Sequence, residues 1–274
     1  MSAIDTRMEL SAVKQRQRRI WKCGDYGVIA ARIMPMAVRL VDAAGLRAGD
    51  AVLDAATGTG NAAIAAARRG CEVTAVDFLE PLLKRGRERA AAEGLRVEFI
   101  VGDAEDLPCA DASFDAVLSC VGVMFTPGHV RAARELVRVC RPGGTIALAS
   151  WTPAGFVGRM FQTVAQHGPA RSMMWSPGLW GTEEHLRCLL GRAVTDLTFM
   201  RREFVFRFRS AAEFVDVVRS YYGPVRKAFD SLDEFGRERL YQDLAVLAAE
   251  HGRGPGPSLA VPSEYLEAVA VRAS

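Results

Sequence analysis

From Ala51 onward the chain alternates short apolar runs with longer segments of mixed polarity. Ala51–Ala56, Glu72–Asp77, Val97–Val101, Phe114–Cys120 and Thr145–Trp151 read as strands, apolar and rich in β-branched residues. Between them lie helical segments. Asn61–Arg69 is alanine-rich and closed by Gly70; Pro81–Glu93 has proline at an early position and Gly94 after it; Val130–Cys140 carries Glu135 and Arg138 on its polar side. Arg141-Pro142-Gly143-Gly144 is a tight turn. Strand–helix alternation with short connections predicts parallel strands, right-handed crossovers and helices on both faces. Ahead of this region the first 20 residues are polar and helix-forming, and 26–44 is a second helical stretch ended by Gly45. Beyond Trp151 the rhythm loosens. Residues 153–192 read as interrupted helix, Phe204–Phe208 alternates as a strand, 211–250 is helical with a break at Gly223-Pro224, 253–257 is a loop, and Tyr265–Val271 is a final strand. The predicted fold is α/β: a doubly wound, mostly parallel, seven-stranded sheet with an N-terminal helical segment and a helical cap.

Composition narrows the function classes. Half of the 274 residues are hydrophobic, enough for a large core. The 35 basic and 32 acidic residues give a net charge of +3, which is no footprint for nucleic acid. Lys14, Arg16, Arg18 and Arg19 read as a solvated helix face. Six cysteines form no CxxC pair and match no zinc spacing, so no metal site is expected, and buried free thiols suit a reducing compartment. With no apolar signal core and no membrane-length apolar run, the expected location is cytoplasmic, without a membrane partner.

The chemistry gathers after the strands. Asp54-Ala55-Ala56-Thr57-Gly58-Thr59-Gly60-Asn61 is a strand end, a glycine-rich turn and a helix start. Gly58 to Ala63 also fits G-x-G-x-x-A, the dinucleotide fingerprint, which alone is weak. Asp54 weighs against a pyrophosphate there, which it would repel, and for a ligand ammonium group. Asp77, ending the second strand, can accept two bonds from a ribose diol with either cofactor. After the third strand, Gly102-Asp103-Ala104-Glu105 offers a carboxylate to an adenine amine and the Ala104 amide to a ring nitrogen. Each acid has an ordinary alternative, as a helix cap or a solvated loop residue.

These segments, with Ser113-Phe114-Asp115 and Arg141-Pro142-Gly143-Gly144, resemble the class I S-adenosylmethionine-dependent methyltransferases. The likeness is greatest to the branch with the ubiquinone/menaquinone-biosynthesis enzymes and small-molecule methyltransferases of bacterial secondary metabolism. It covers about residues 20–155. It departs from the pattern at Ala56, where the family has its first glycine, and at Thr57. It implies S-adenosyl-L-methionine as cofactor, held by Asp54, Ala56, Gly58, Gly60, Asn61, Asp77, Phe78, Gly102, Asp103, Ala104 and Glu105, by Ser119, Cys120 and Val121 after the fourth strand, and by Tyr26 from the N-terminal segment. It divides the chain into a helical lid segment (1–45), a Rossmann-like cofactor-binding core (46–152), and the remaining strands with a substrate cap (153–274).

The implied reaction moves a methyl group from the cofactor to a small acceptor by in-line displacement, so positioning suffices unless the acceptor needs deprotonation. His129, at a helix start after the fourth strand, is the candidate base, against a plain helix-start or surface role. Trp151, Phe156, Met174 and Trp175 are candidate acceptor contacts, suited to an apolar or aromatic molecule or to a cap packing on itself. An NAD(P)-dependent oxidoreductase and a non-catalytic cofactor-binding module are the alternatives; the first lacks a Tyr-x-x-x-Lys, since Arg226 stands four after Tyr222. Oligomeric state stays open, a homodimer being one option.

Overall fold

The computed structural model describes residues 3–168, 177–253 and 258–274, without the side chains of residues 3–11. Seven strands form one sheet: β1 (Ala51–Ala55), β2 (Glu72–Asp77), β3 (Val97–Val101), β4 (Phe114–Cys120), β5 (Cys140–Trp151), β6 (Val194–Phe208) and β7 (Leu259–Arg272). Their order is β3-β2-β1-β4-β5-β7-β6. The first five run parallel, and β7 runs antiparallel to both of its neighbours. The chain builds outward from β1 to β3, then returns to build β4 and β5 on the other side. The adjacent carboxyl ends of β1 and β4 are therefore the point where strand order reverses, the place where such sheets bind ligands.

Eleven α-helices are described: α1 (Ala3–Lys22), α2 (Tyr26–Arg32), α3 (Met34–Ala44), α4 (Asn61–Ala67), α5 (Glu80–Ala92), α6 (His129–Val139), α7 (Phe156–Gln166), α8 (Glu183–Leu190), α9 (Ala211–Tyr221), α10 (Gly223–Asp230) and α11 (Glu234–His251). All seven residues of α4 are buried, and five of them are alanine, so the helix can lie tightly between the sheet and α3. The single helix expected over 26–44 is divided at Ile33. Pro35 supplies no backbone N–H and stands in the first turn of α3, so a new helix begins there.

Two strands are longer than their sequence suggests. β6 begins ten residues before Phe204 and β7 six before Tyr265. β6 is an edge strand carrying Arg201, Arg202 and Glu203 at its middle, where Arg202 pairs with the buried Glu267 of β7 at 2.9 Å. That charged run hides the alternation. β5 likewise begins at Cys140, which pairs with Phe114 across an irregularity in register, so the Pro142-Gly143-Gly144 turn lies inside the strand. Among the described residues no helix is long and apolar enough to cross a membrane.

Candidate functional site

The turn after β1 is braced from within. Ala56, Gly58 and Gly60 all take positive φ, at 54°, 58° and 85°. One Asp54 carboxylate oxygen accepts from the Thr57 hydroxyl at 2.5 Å and from the Ala63 amide at 2.9 Å. Asp54 is 1 % exposed, and burial pushes its pKa up to about 7 against the pull of those bonds. It lines neither compartment of the cleft described below, and its bonds brace the turn.

Asp77 closes the same turn from β2. Its oxygens accept from the Gly58 amide at 2.9 Å and from the Leu79 amide at 2.9 Å. Burial raises its pKa to about 6, the three backbone amides bonded to it pulling the other way. An ionised carboxylate has about four acceptor sites, so capacity for a ribose hydroxyl remains. The Asp77 side chain also faces both compartments of the cleft, and the residues present fit a nucleoside.

The outer compartment is walled by Asp77, Phe78, Gly102, Asp103 and Ala104, by Phe125, Thr126 and Pro127 after β4, and by Lys14, Gln17 and Arg18 from α1. The inner one is walled by Ala56, Thr57, Gly58, Asn61, Asp77, Phe78, Cys120 and Val121, with Trp21 and Tyr26 above. The Cys120 thiol is pushed up by burial. Asn61 is fixed by donating to the Ala30 carbonyl and accepting from Arg89, both at 2.8 Å.

Besides Asp54, three further expected cofactor residues support the cleft without lining it. Ser119 donates to the Ala55 carbonyl at 2.8 Å and accepts from the Val123 amide at 3.0 Å, tying the ends of β1 and β4 together. Gly60 begins α4 with its Cα turned to the Phe99 ring. Glu105 accepts from the Gly128 amide at 2.7 Å and meets Lys14 at 2.8 Å.

Sequence reasoning placed α1 in a lid segment without foreseeing which of its side chains meet the cleft. Lys14, expected on a solvated face, instead reaches Asp103 at 2.7 Å as well as Glu105, and Gln17 donates to the Phe125 carbonyl at 2.8 Å. The signal was a cation and an amide three residues apart, hence on one helix face. Arg16 and Arg19 are exposed, as a solvated face requires, whereas Arg18, also exposed, walls the outer compartment with its guanidinium carbon 5.6 Å from the Phe78 ring centre.

A third cavity lies between α2, α7, α9 and the strands β5 and β6. Trp151, Phe156, Met160, Phe206, Phe208, Phe214 and Tyr222 give it aromatic and apolar walls. Tyr26, Ile33 and Val121 belong to this cavity and to the inner compartment alike. Val121 is β-branched at φ 54°, an outlier of the kind that persists only where its surroundings impose it. It stands beside Gly122, where a Cβ would collide with the Ala56 carbonyl oxygen.

His129 is not brought to any of these cavities. It is 3 % exposed, its Nδ1 lies 2.8 Å from His185 Nε2, and its ring packs edge-on to Trp180. Burial lowers its pKa to about 4. A helix start after β4 pointed toward the ligand side, but the turn Val123–Phe125 intervenes and α6 begins behind it. Met174 and Trp175 lie outside the described residues.

Comparison with known proteins bears on this geometry. Residues 52–144 match the model of a methyltransferase domain. The uncharacterized protein Rv1405c of Mycobacterium tuberculosis is 43% identical over 86% of this chain and 84% of its own length. A demethylmenaquinone methyltransferase of Clavibacter sepedonicus is 43% identical over 38% of this chain and 42% of its own. Phosphoethanolamine N-methyltransferase 2 of Haemonchus contortus, solved in complex with S-adenosyl-L-methionine, superposes with a TM-score of 0.56 at 16% identity, covering 88% of this chain and 53% of that one. The antiparallel β7 between β5 and β6 also separates this sheet from the 3-2-1-4-5-6 order of dinucleotide-binding oxidoreductases. From the sheet, the turn after β1 and these likenesses together, the chain belongs to the class I S-adenosylmethionine-dependent methyltransferases.

Proposed function

We propose that the methyl acceptor is a small apolar or aromatic molecule seated in the cavity walled by Trp151, Phe156 and Phe206. The observation that carries this reading is the shared wall: Tyr26, Ile33 and Val121 border both that cavity and the cleft beside the glycine-rich turn.

S-adenosyl-L-methionine, when bound, supplies a methyl group already activated by its sulfonium. In this reading Asp77 receives the ribose hydroxyls, and Asp103 with the Ala104 amide receives the adenine. Gly58 keeps space open beneath Tyr26, whose ring atoms stand 3.5 Å from where a Cβ would be. Tyr26, Ile33 and Val121 mark the border at which the acceptor atom and the methyl carbon would align, and the apolar walls exclude water.

The described lining holds no carboxylate, imidazole or amine. Burial raises the pKa of Tyr26 and Tyr222, so both keep their protons at neutral pH. Catalysis is then positional, and the acceptor atom is one nucleophilic without a protein base.

The test is transfer of labelled methyl to two panels: aromatic amines, apolar thiols and phenols ionised at the assay pH in one, amino acids and nucleosides in the other. The reading expects products from the first panel only. Methylation confined to the polar panel would overturn it.

A further inference from the structure

The apolar cavity carries one charge. Among its described lining residues Arg32, at the end of α2, is the only ionised side chain. It is exposed, and its guanidinium carbon lies 5.2 Å from the centre of the Phe208 ring. Phe208 borders this cavity and neither compartment of the cleft. Arg32 likewise borders this cavity and neither compartment of the cleft.

No ion pair holds Arg32 among the described residues. The acid near enough to feel its charge is Glu213, and that carboxylate is taken: Arg209 meets it at 3.0 Å and the Arg209 amide donates to it at 2.5 Å. The guanidinium lies over the Phe208 ring, and no ion pair among the described residues occupies its N–H donors. A fork of donors beside an aromatic slot is the arrangement that reads a carboxylate or another oxyanion.

Building on the reading of this cavity as the acceptor site, we infer that the acceptor is an amphipathic acid: an apolar body in the slot, and an anionic group bound by Arg32 at the end remote from the transferred methyl. The reactive atom and the anion are then separate parts of one molecule. Arg32 sets register along the slot, and a neutral analogue of equal size enters without being held in place.

The experiment uses the whole protein saturated with S-adenosylhomocysteine and three probes sharing one tail: decanoate, decanol and decyltrimethylammonium, titrated by calorimetry. Decanoate is expected to bind about tenfold more tightly than decanol, and the cation more weakly than either. Arg32→Gln is expected to abolish the preference while leaving decanol affinity as in the parent protein, and Arg32→Lys to keep part of it. Equal binding of decanoate and decanol by the parent protein overturns the inference alone, as does a preference that survives Arg32→Gln. Failure of all three probes to bind, with S-adenosylhomocysteine still bound, overturns the acceptor-site reading, and this inference falls with it.

Discussion

At the scale of single residues, Asp77 joins the stability of the site to its use. It ties Gly58 and Leu79 and still has acceptor capacity left. Asp77→Ala should weaken S-adenosylhomocysteine binding by about 1.5–3 kcal/mol, the worth of hydrogen bonds to a charged group. Unchanged affinity in a folded variant would make Asp77 a turn residue only. The buried acids also set a pH dependence. Asp54 and Asp77 hold protons up to about pH 7 and 6 in the folded chain, against an ordinary value of 3.8. Between roughly pH 4 and 7 the folded state binds protons that the unfolded chain has released. Stability from these two groups is thus full at low pH and declines as pH rises through that window. A cofactor that donates hydrogen bonds prefers the ionised acids, so binding expels protons and affinity climbs with pH. For a single group at about 6 the gain is about tenfold from pH 5 to 7, flattening above. Calorimetry at pH 5, 6, 7 and 8 reads it, and a flat profile refutes it. Most of the residues at the cleft were legible because strand ends and glycine turns fix them locally. His129 was misplaced because its surroundings, His185 and Trp180, come from more than 50 residues later in the chain.

At the scale of elements, α1 is the part whose role its own pattern concealed. A polar helix with scattered cations reads as solvated, and only the tertiary structure shows Lys14 turned onto Asp103 and Glu105. Charge complementarity across 89 residues leaves no periodic trace. Since α1 lies over the outer compartment, the cofactor cannot leave past it without parting these contacts. Lys14→Ala should therefore speed release of S-adenosylhomocysteine by roughly fivefold, the effect of a partly exposed ion pair of about 1 kcal/mol. Stopped-flow displacement measures this, and an unchanged rate would mean that α1 does not gate the cleft. β6 was legible only at its Phe204–Phe208 end, where apolar residues alternate. Its charged middle is an edge-strand feature that keeps other sheets from adding there.

At the scale of the whole molecule, two neighbouring regions divide the labour. Residues 14–127 border the cleft, while the apolar cavity draws its walls from α2, α7, α9, β5 and β6. Trp151 and Phe156 border the second and not the first. Trp151→Phe and Phe156→Leu should alter turnover of an apolar acceptor while leaving cofactor affinity within about threefold, or ~0.7 kcal/mol. Parallel loss of both functions would show the cavity to be core. The sheet order has a consequence for biosynthesis. β7 comes last among the strands, yet it lies between β5 and β6 and pairs with both. While a ribosome is still making residues 259–272, β5 keeps an unpaired, largely apolar edge, and β6 has nothing to bind. A nascent chain at that stage exposes a template for joining other strands. Chaperone capture and aggregation should therefore peak after the cofactor cleft has been synthesised and before residues 259–272 join the sheet.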